Sequence, residues 1–292
     1  MNYRLPAWLI LSAALATTPL RLAADSLADL RTKAAAGDIP AQFDLGARYA
    51  QGNGVPKDLA EAAKWYRKAA DQGAAPAQTN LGVMYARGDG VPKNSADAAN
   101  WYRKAADQDY PPAQYNLGLM YAQGDGVTKD LAEALKWYRK AAAHGEAAAQ
   151  TSLGVMYAQG ETVPKDSAEA VQWYRKAADQ GYAPAQSNLG LMYAQGNGVP
   201  KDLAEAVKWY HKAADQGSAS AQLHLGFMYT TGDGVPKNEI EALAYFNLAA
   251  FTGDQVAANH RDILEKKLGP LMALSARRRS QAIAEELKRP KP

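Results

Sequence analysis

Five tryptophans, Trp65, Trp101, Trp137, Trp173 and Trp209, stand 36 residues apart, and Met84, Met120, Met156, Met192 and Met228 keep the same interval. A fixed period of this length means an array of one supersecondary unit, and no single copy can bury its apolar face alone. Six full units run from Pro40 to Gln255, and a half unit over 25–39 precedes them, with its Gly37 matching Gly73. Alanine makes up roughly a fifth of the chain and phenylalanine occurs four times. That bias suits closely packed helices rather than strands, so the expected fold class is all-α. The absence of cysteine excludes disulfide staples, thiolate metal sites, a cysteine nucleophile and an acylated lipoprotein cysteine.

The unit from Pro184 to Ala219 shows what each position does. Pro184 suits a first helical position, and helix A then runs to about Gln195 with Ala185, Leu189, Met192 and Tyr193 as its core stripe. Gly190, beside Leu189, is expected to admit another backbone. Gly196-Asn197-Gly198 ends helix A and Val199-Pro200 cannot continue it. Asp202 is placed to cap helix B, with Glu205 reaching back as in a capping box. The pair recurs as Asp58/Glu61, Asp130/Glu133 and Asp166/Glu169, with Asn94/Asp97 and Asn238/Glu241 as variants. Such carboxylates look like acid/base pairs, but orphan N–H groups at every helix start explain them. Helix B carries Ala206, Trp209, Tyr210, Ala213 and Ala214 inward, while Lys208, His211, Lys212 and Asp215 are expected to face water.

The run Ala-Gln-x-x-Leu-Gly-x-Met-Tyr, then Gly-x-Gly-Val-Pro-Lys-Asp, then Ala-Glu-Ala-x-x-Trp-Tyr-x-Lys-Ala-Ala resembles the Sel1-like repeat, a relative of the tetratricopeptide repeat. The resemblance covers Pro40 to Gln255. It implies an α/α superhelical solenoid of helix-turn-helix repeats and an adaptor or scaffold role, often in bacterial envelope or secreted proteins. Departures mark particular units. Arg48 replaces methionine, Tyr245-Phe246 replaces Trp-Tyr, and Thr162 stands where the fourth unit's second loop glycine belongs. After Gln255, Ile263, Leu264 and Leu268 suggest a further helix broken at Gly269-Pro270. Met272, Ala276, Ile283 and Leu287 mark a final capping helix in 256–292.

Residues 1–24 read as a signal peptide. Arg4 supplies the basic start, Ala7 to Leu15 the apolar run, and small residues allow cleavage after Ala24 or, alternatively, Ala16. The run is too short to span a bilayer, which predicts a periplasmic or secreted protein with no integral membrane span after cleavage. Removing Arg4 and Arg21 leaves 31 basic against 30 acidic residues, which argues against nucleic acid as a partner. Residues 256–292 hold nine basic and four acidic residues, read as a solvated helix face with an acidic partner or membrane headgroups as the alternative.

No constellation for catalysis emerges. His144, His211, His224 and His260 fall at unrelated repeat positions without metal-site spacing, and the Gly-Val-Pro-Lys loop follows a helix and lacks the Gly-Lys-Ser/Thr ending of a phosphate loop. Asp125-Gly126 lacks the other oxygen ligands of a calcium loop. The expectation is therefore a non-enzymatic scaffold without cofactor that binds a protein or peptide. The alternatives are a carbohydrate- or cell-wall-binding protein and a hydrolase.

Helix A positions that vary while their neighbours repeat point to the binding face. The fourth position includes Tyr115, the fifth Asn80, Asn116 and Asn188, the eighth Leu119 and Leu191, and the twelfth Arg87, Gln123, Gln159 and Gln195. They share one side of helix A. By resemblance to the tetratricopeptide array, that side lines a concave groove where amides bind a peptide backbone or a partner helix. The competing expectation is that the eighth position packs neighbouring A helices and that the amides are solvated.

Overall fold

The computed structural model describes residues 26–288, and the expected signal peptide lies outside them. Among the described residues there are fourteen helices and no strand. They are α1 (Leu27–Ala35), α2 (Ile39–Gln51), α3 (Leu59–Asp71), α4 (Ala75–Arg87), α5 (Ser95–Ala106), α6 (Pro111–Gln123), α7 (Leu131–Ala143), α8 (Ala147–Gln159), α9 (Ser167–Asp179), α10 (Ala183–Gln195), α11 (Leu203–Ala214), α12 (Ala219–Thr231), α13 (Glu239–Phe251) and α14 (Gln255–Lys288). The chain divides between Ala149 and Gln150 into two compact units. Within each, a helix packs on its neighbours in sequence, and in the first α4 also meets α6.

The pairing of helices A and B rests on a ring set over a glycine. A Cβ on Gly190 would lie 2.9 Å from the Tyr210 ring, and one on Gly118 2.8 Å from Tyr138. The glycine therefore makes room for an aromatic side chain of helix B as well as for its backbone, since a Cβ on Gly190 would also lie 3.2 Å from Ala206 O. Leu189 is fully buried beside it and Tyr210 is 1% exposed. Rings this size fill the gap between two narrow, alanine-rich helices.

Each loop from a helix A to its helix B closes on the same backbone bond. The N–H of Asp202 donates to Tyr193 O at 3.0 Å, and Asp58 to Tyr49 O at 2.9 Å. Gly196, at φ 72°, takes the left-handed conformation and donates to Met192 O, which ends α10. The second loop glycine has a different duty. A Cβ on Gly198 would stand 2.1 Å from Ser167 O, so this loop rides on the first turn of the preceding helix B, where only glycine fits. In the fourth repeat Gly160 keeps φ 78°, whereas Thr162 is not in the left-handed region. The base is unchanged, with Asp166 N–H on Tyr157 O at 2.9 Å.

Asp202 caps α11 through its side chain, accepting from Glu205 N–H at 2.9 Å. Glu205 does not reach back; its carboxylate pairs with Lys208 at 2.9 Å, one helical turn on, so the box is only half made. Two further expectations change. Tyr193 is only half-buried: its ring packs against the core, while its hydroxyl accepts from Arg175 Nη2 and so also links successive repeats. His211 is half-buried between Tyr229 and Tyr245 rather than facing water, whereas Lys212 is exposed as expected, with its Nζ 3.8 Å from the Trp209 ring centroid.

Helix α14 is two segments meeting at Gly269, whose φ of 75° and ψ of 175° are not helical. Ala273 and Ala276 join Leu243, Phe246 and Ala249 of α13 in one apolar cluster, and Ile283 reaches Tyr210 and Tyr245 in another. Met272 does not share that stripe. It is 49% exposed, because the inward face steps through Ala273, Ala276, Ser280 and Ile283 instead.

Candidate binding surface

The varying side of helix A is built from layers of unequal depth. In α4 and α6 the fourth, fifth and eighth positions are inside: Asn80, Tyr115, Asn116 and Leu119 are all buried. Tyr115 tilts against Tyr138 of α7 with centroids 5.8 Å apart, which shows why a ring at position four is drawn inward. The twelfth position is outside: Arg87, Gln123, Gln159 and Gln195 are exposed at the helix ends. Asn188 and Leu191 of α10 are half-buried. So α4 and α6 offer a tightly packed floor with a polar rim, and α10 is more open.

One crevice in the first unit brings three of the expected residues together. It is lined by Ala86, Tyr102, Asn116, Leu119, Gln123 and Asp125. Asn116 is 4% exposed, and its Nδ2 has no hydrogen-bond partner within the protein. A buried amide donor without an acceptor is costly, so this atom is poised for an acceptor from outside, whether water or a ligand carbonyl. Burial raises the Tyr102 hydroxyl pKa, so that group stays a neutral phenol beside the crevice. Tyr102 escaped the sequence reading because its position repeats from unit to unit, and Asp125 entered it only as part of an Asp-Gly pair that fails as a calcium loop.

The equivalent face of α12 carries a histidine. The His224 ring stacks on Tyr210 with centroids 4.8 Å apart, and its Nδ1 lies 2.7 Å from Ser220 O, which assigns the proton to Nδ1. Burial lowers its pKa, with Ser220 O and Asp254 opposing. His211 bonds Tyr229 Oη at 3.3 Å and Tyr245 Oη at 3.2 Å through its two ring nitrogens. It stands at the repeat position that Arg175 holds one unit earlier, where the arginine makes the link to the next tyrosine. Among the described residues no group of three or more His, Asp or Glu side chains is arranged to hold a metal ion, and no helix is long and apolar enough to cross a membrane.

The Sel1 repeat family matches residues 39–73, 75–110, 111–146, 147–182, 183–218 and 219–250. The solved structure of c5321, a protective antigen present in uropathogenic Escherichia coli strains displaying an SLR fold, is 41% identical with a TM-score of 0.75, over 90% of this chain and 58% of that one. A Sel1 repeat protein from Oxalobacter formigenes is also 41% identical, with a TM-score of 0.71, over 75% of this chain and 89% of its own. The secretory immunoglobulin A-binding protein EsiB of Escherichia coli is 48% identical over 44 residues, which is 15% of this chain and 9% of EsiB. This chain thus spans little of EsiB and less than two thirds of the c5321 structure. Sel1 repeat proteins generally mediate protein–protein interactions and are generally non-catalytic. With six matched repeats on an all-helical solenoid of helix pairs, this chain belongs to the Sel1 repeat family.

Proposed function

We propose that the chain is a non-enzymatic scaffold of the bacterial envelope or secreted fraction that binds a protein or peptide on the helix A faces. The observation that carries this reading is the Asn116 Nδ2, buried without a partner beneath a crevice whose rim holds Gln123 and Asp125. An extended peptide supplies a carbonyl to such a donor and hydrogen-bonds the exposed amide of Gln123, while the floor excludes water. On α10, Asn188, Leu191 and Gln195 offer a similar mixture of amide and apolar surface. Export rests on the Arg4 start and the Ala7 to Leu15 run, and the mature N-terminus identifies it directly: mass spectrometry of the native protein should find it after Ala24 or Ala16.

The binding face is tested on a partner isolated from envelope extracts and then purified. Gln123→Ala with Asn116→Ala should weaken its affinity, and Gln195→Ala with Asn188→Ala tests α10 separately. Melting temperatures report whether either change acts through folding. Unchanged affinity in both pairs moves the interface off the helix A faces. Hydrolysis of cell-wall material by the purified chain would favour the hydrolase alternative, and retention of soluble glycans would favour the carbohydrate-binding one.

A further inference from the structure

The corner of α14 is apolar and basic at once. Leu271 is 81% exposed, Ile263 64%, Met272 49% and Leu274 47%. Leu271, Leu274 and Arg278 follow at steps of three and four residues, so they share one outward face of the second segment. Gly269 marks the turn itself, and a Cβ there would meet nothing within 4 Å, so the corner projects into open space.

The basic side chains around it sort into two groups. Arg261, Lys267, Arg277 and Arg279 pair with Asp262, Glu239, Glu265 and Glu241. Lys266 and Arg278 are exposed and, among the described residues, make no such pair. The pairing also fixes the corner, since Arg277 and Glu265 join its two segments at 3.2 Å and Arg279 ties the second segment to α13. What is left outward is a set of exposed aliphatic side chains beside positive charge that has no ion-pair partner among the described residues.

We propose that this corner docks on the surface of an anionic lipid bilayer, with Leu271 and Leu274 entering the headgroup boundary and Lys266 and Arg278 meeting lipid phosphates. An aliphatic wedge flanked by cations is the pattern of interfacial membrane binding. Protein hot spots favour tryptophan and tyrosine over leucine, and residues 263–278 contain neither. The charges supply attraction, the leucines supply depth, and the ion pairs join the two segments to each other and to α13.

The test uses the chain from Asp25 onward, which holds every described helix and leaves out the apolar Ala7 to Leu15 run. Vesicles of phosphatidylcholine alone and of phosphatidylcholine mixed with phosphatidylglycerol are sedimented with the protein. Binding should appear only with phosphatidylglycerol and fall with added salt. Lys266→Glu with Arg278→Glu should weaken it by roughly tenfold or more, since each basic residue near an anionic surface contributes about fivefold. Leu271→Ser with Leu274→Ser should weaken it without changing the melting temperature. Failure to sediment with the anionic vesicles, or sedimentation unaltered in both double variants, overturns the proposal. Concentration-dependent self-association that Leu271→Ser abolishes, without vesicle binding, would assign the corner to a second copy instead. None of these outcomes depends on the helix A face, so the two proposals fail separately.

Discussion

Gln216 at the end of α11 donates through Nε2 to Oε1 of Gln186 inside α10, at 2.8 Å across thirty residues. Gln186 in turn donates to Ala178 O at the end of α9, at 3.2 Å. One buried amide thereby satisfies a carbonyl at the C-terminus of the preceding helix B and takes a donor from its own helix B. The same chain joins Gln72, Gln42 and Ala34, and Gln108, Gln78 and Ala70. It is a polar seam through an apolar stack, and each link closes the orphan groups that a helix end leaves.

The seam has two gaps with an evident cause. Gln114 Oε1 and Gln222 Oε1 are buried without a donor, and the residues at the donor position of their repeats are His144 and Thr252 rather than glutamine. Thr252 spends its hydroxyl on Ala249 O. His144→Gln and Thr252→Gln should therefore each stabilise the fold, by about 0.5–1.5 kcal/mol. Thermal or urea denaturation measures it. No gain in either variant would show that the acceptor is already satisfied by water.

The glycine beneath each helix B ring should tolerate no side chain. Gly190→Ala puts a methyl group 2.9 Å from the Tyr210 ring and 3.2 Å from Ala206 O, in a place with no slack on either side. Overpacking there should cost about 1–3 kcal/mol. Gly217, at φ 82° with nothing near a Cβ, is the control, since Gly217→Ala strains only its own backbone. Equal losses from both variants would mean that the ring moves aside.

Most of the fold was legible because a period of 36 residues repeats its own evidence: caps, the first loop glycine and the Leu189 type of core position are stated six times over. What escaped were relations between side chains at different depths. Helical spacing places Tyr193 and Tyr210 equally inside, yet only the second is fully buried, while the Tyr193 ring packs at the edge of the core and its hydroxyl accepts from Arg175. Variability marked Asn116 and Leu119 as candidates for recognition, but variation at a packed interface between repeats leaves the same trace as variation at a surface. Burial, which separates the two, depends on the neighbouring repeat and not on the residue.

The two tyrosines should part in a stability measurement. Tyr210→Ala empties a site closed on all sides and should cost about 3–5 kcal/mol. Tyr193→Phe removes one hydrogen bond to an exposed arginine and should cost about 1 kcal/mol or less. A large loss from Tyr193→Phe would return that hydroxyl to the core.

His224 should make the second compact unit less stable in mild acid. Burial against Tyr210 lowers its pKa from 6.5 in the folded chain, with the bond to Ser220 O and the Asp254 charge opposing. For a base held below its unfolded value, the contribution to stability is complete above 6.5 and is lost as pH falls, because the unfolded chain takes up the proton first. His211 is lowered by burial too, with Asp215 and Glu241 pulling it upward and Arg279 downward, and acts with the same sign. Asparagine is the residue of most other repeats at the His224 position, as Asn80, Asn116 and Asn188 show. His224→Asn therefore keeps a residue the fold accepts while removing the titration. Melting temperatures followed between about pH 7 and pH 5 should fall for the native sequence and fall less for His224→Asn. Identical slopes would show that the histidine gains its proton without leaving the tyrosine, and would place the acid sensitivity on His211.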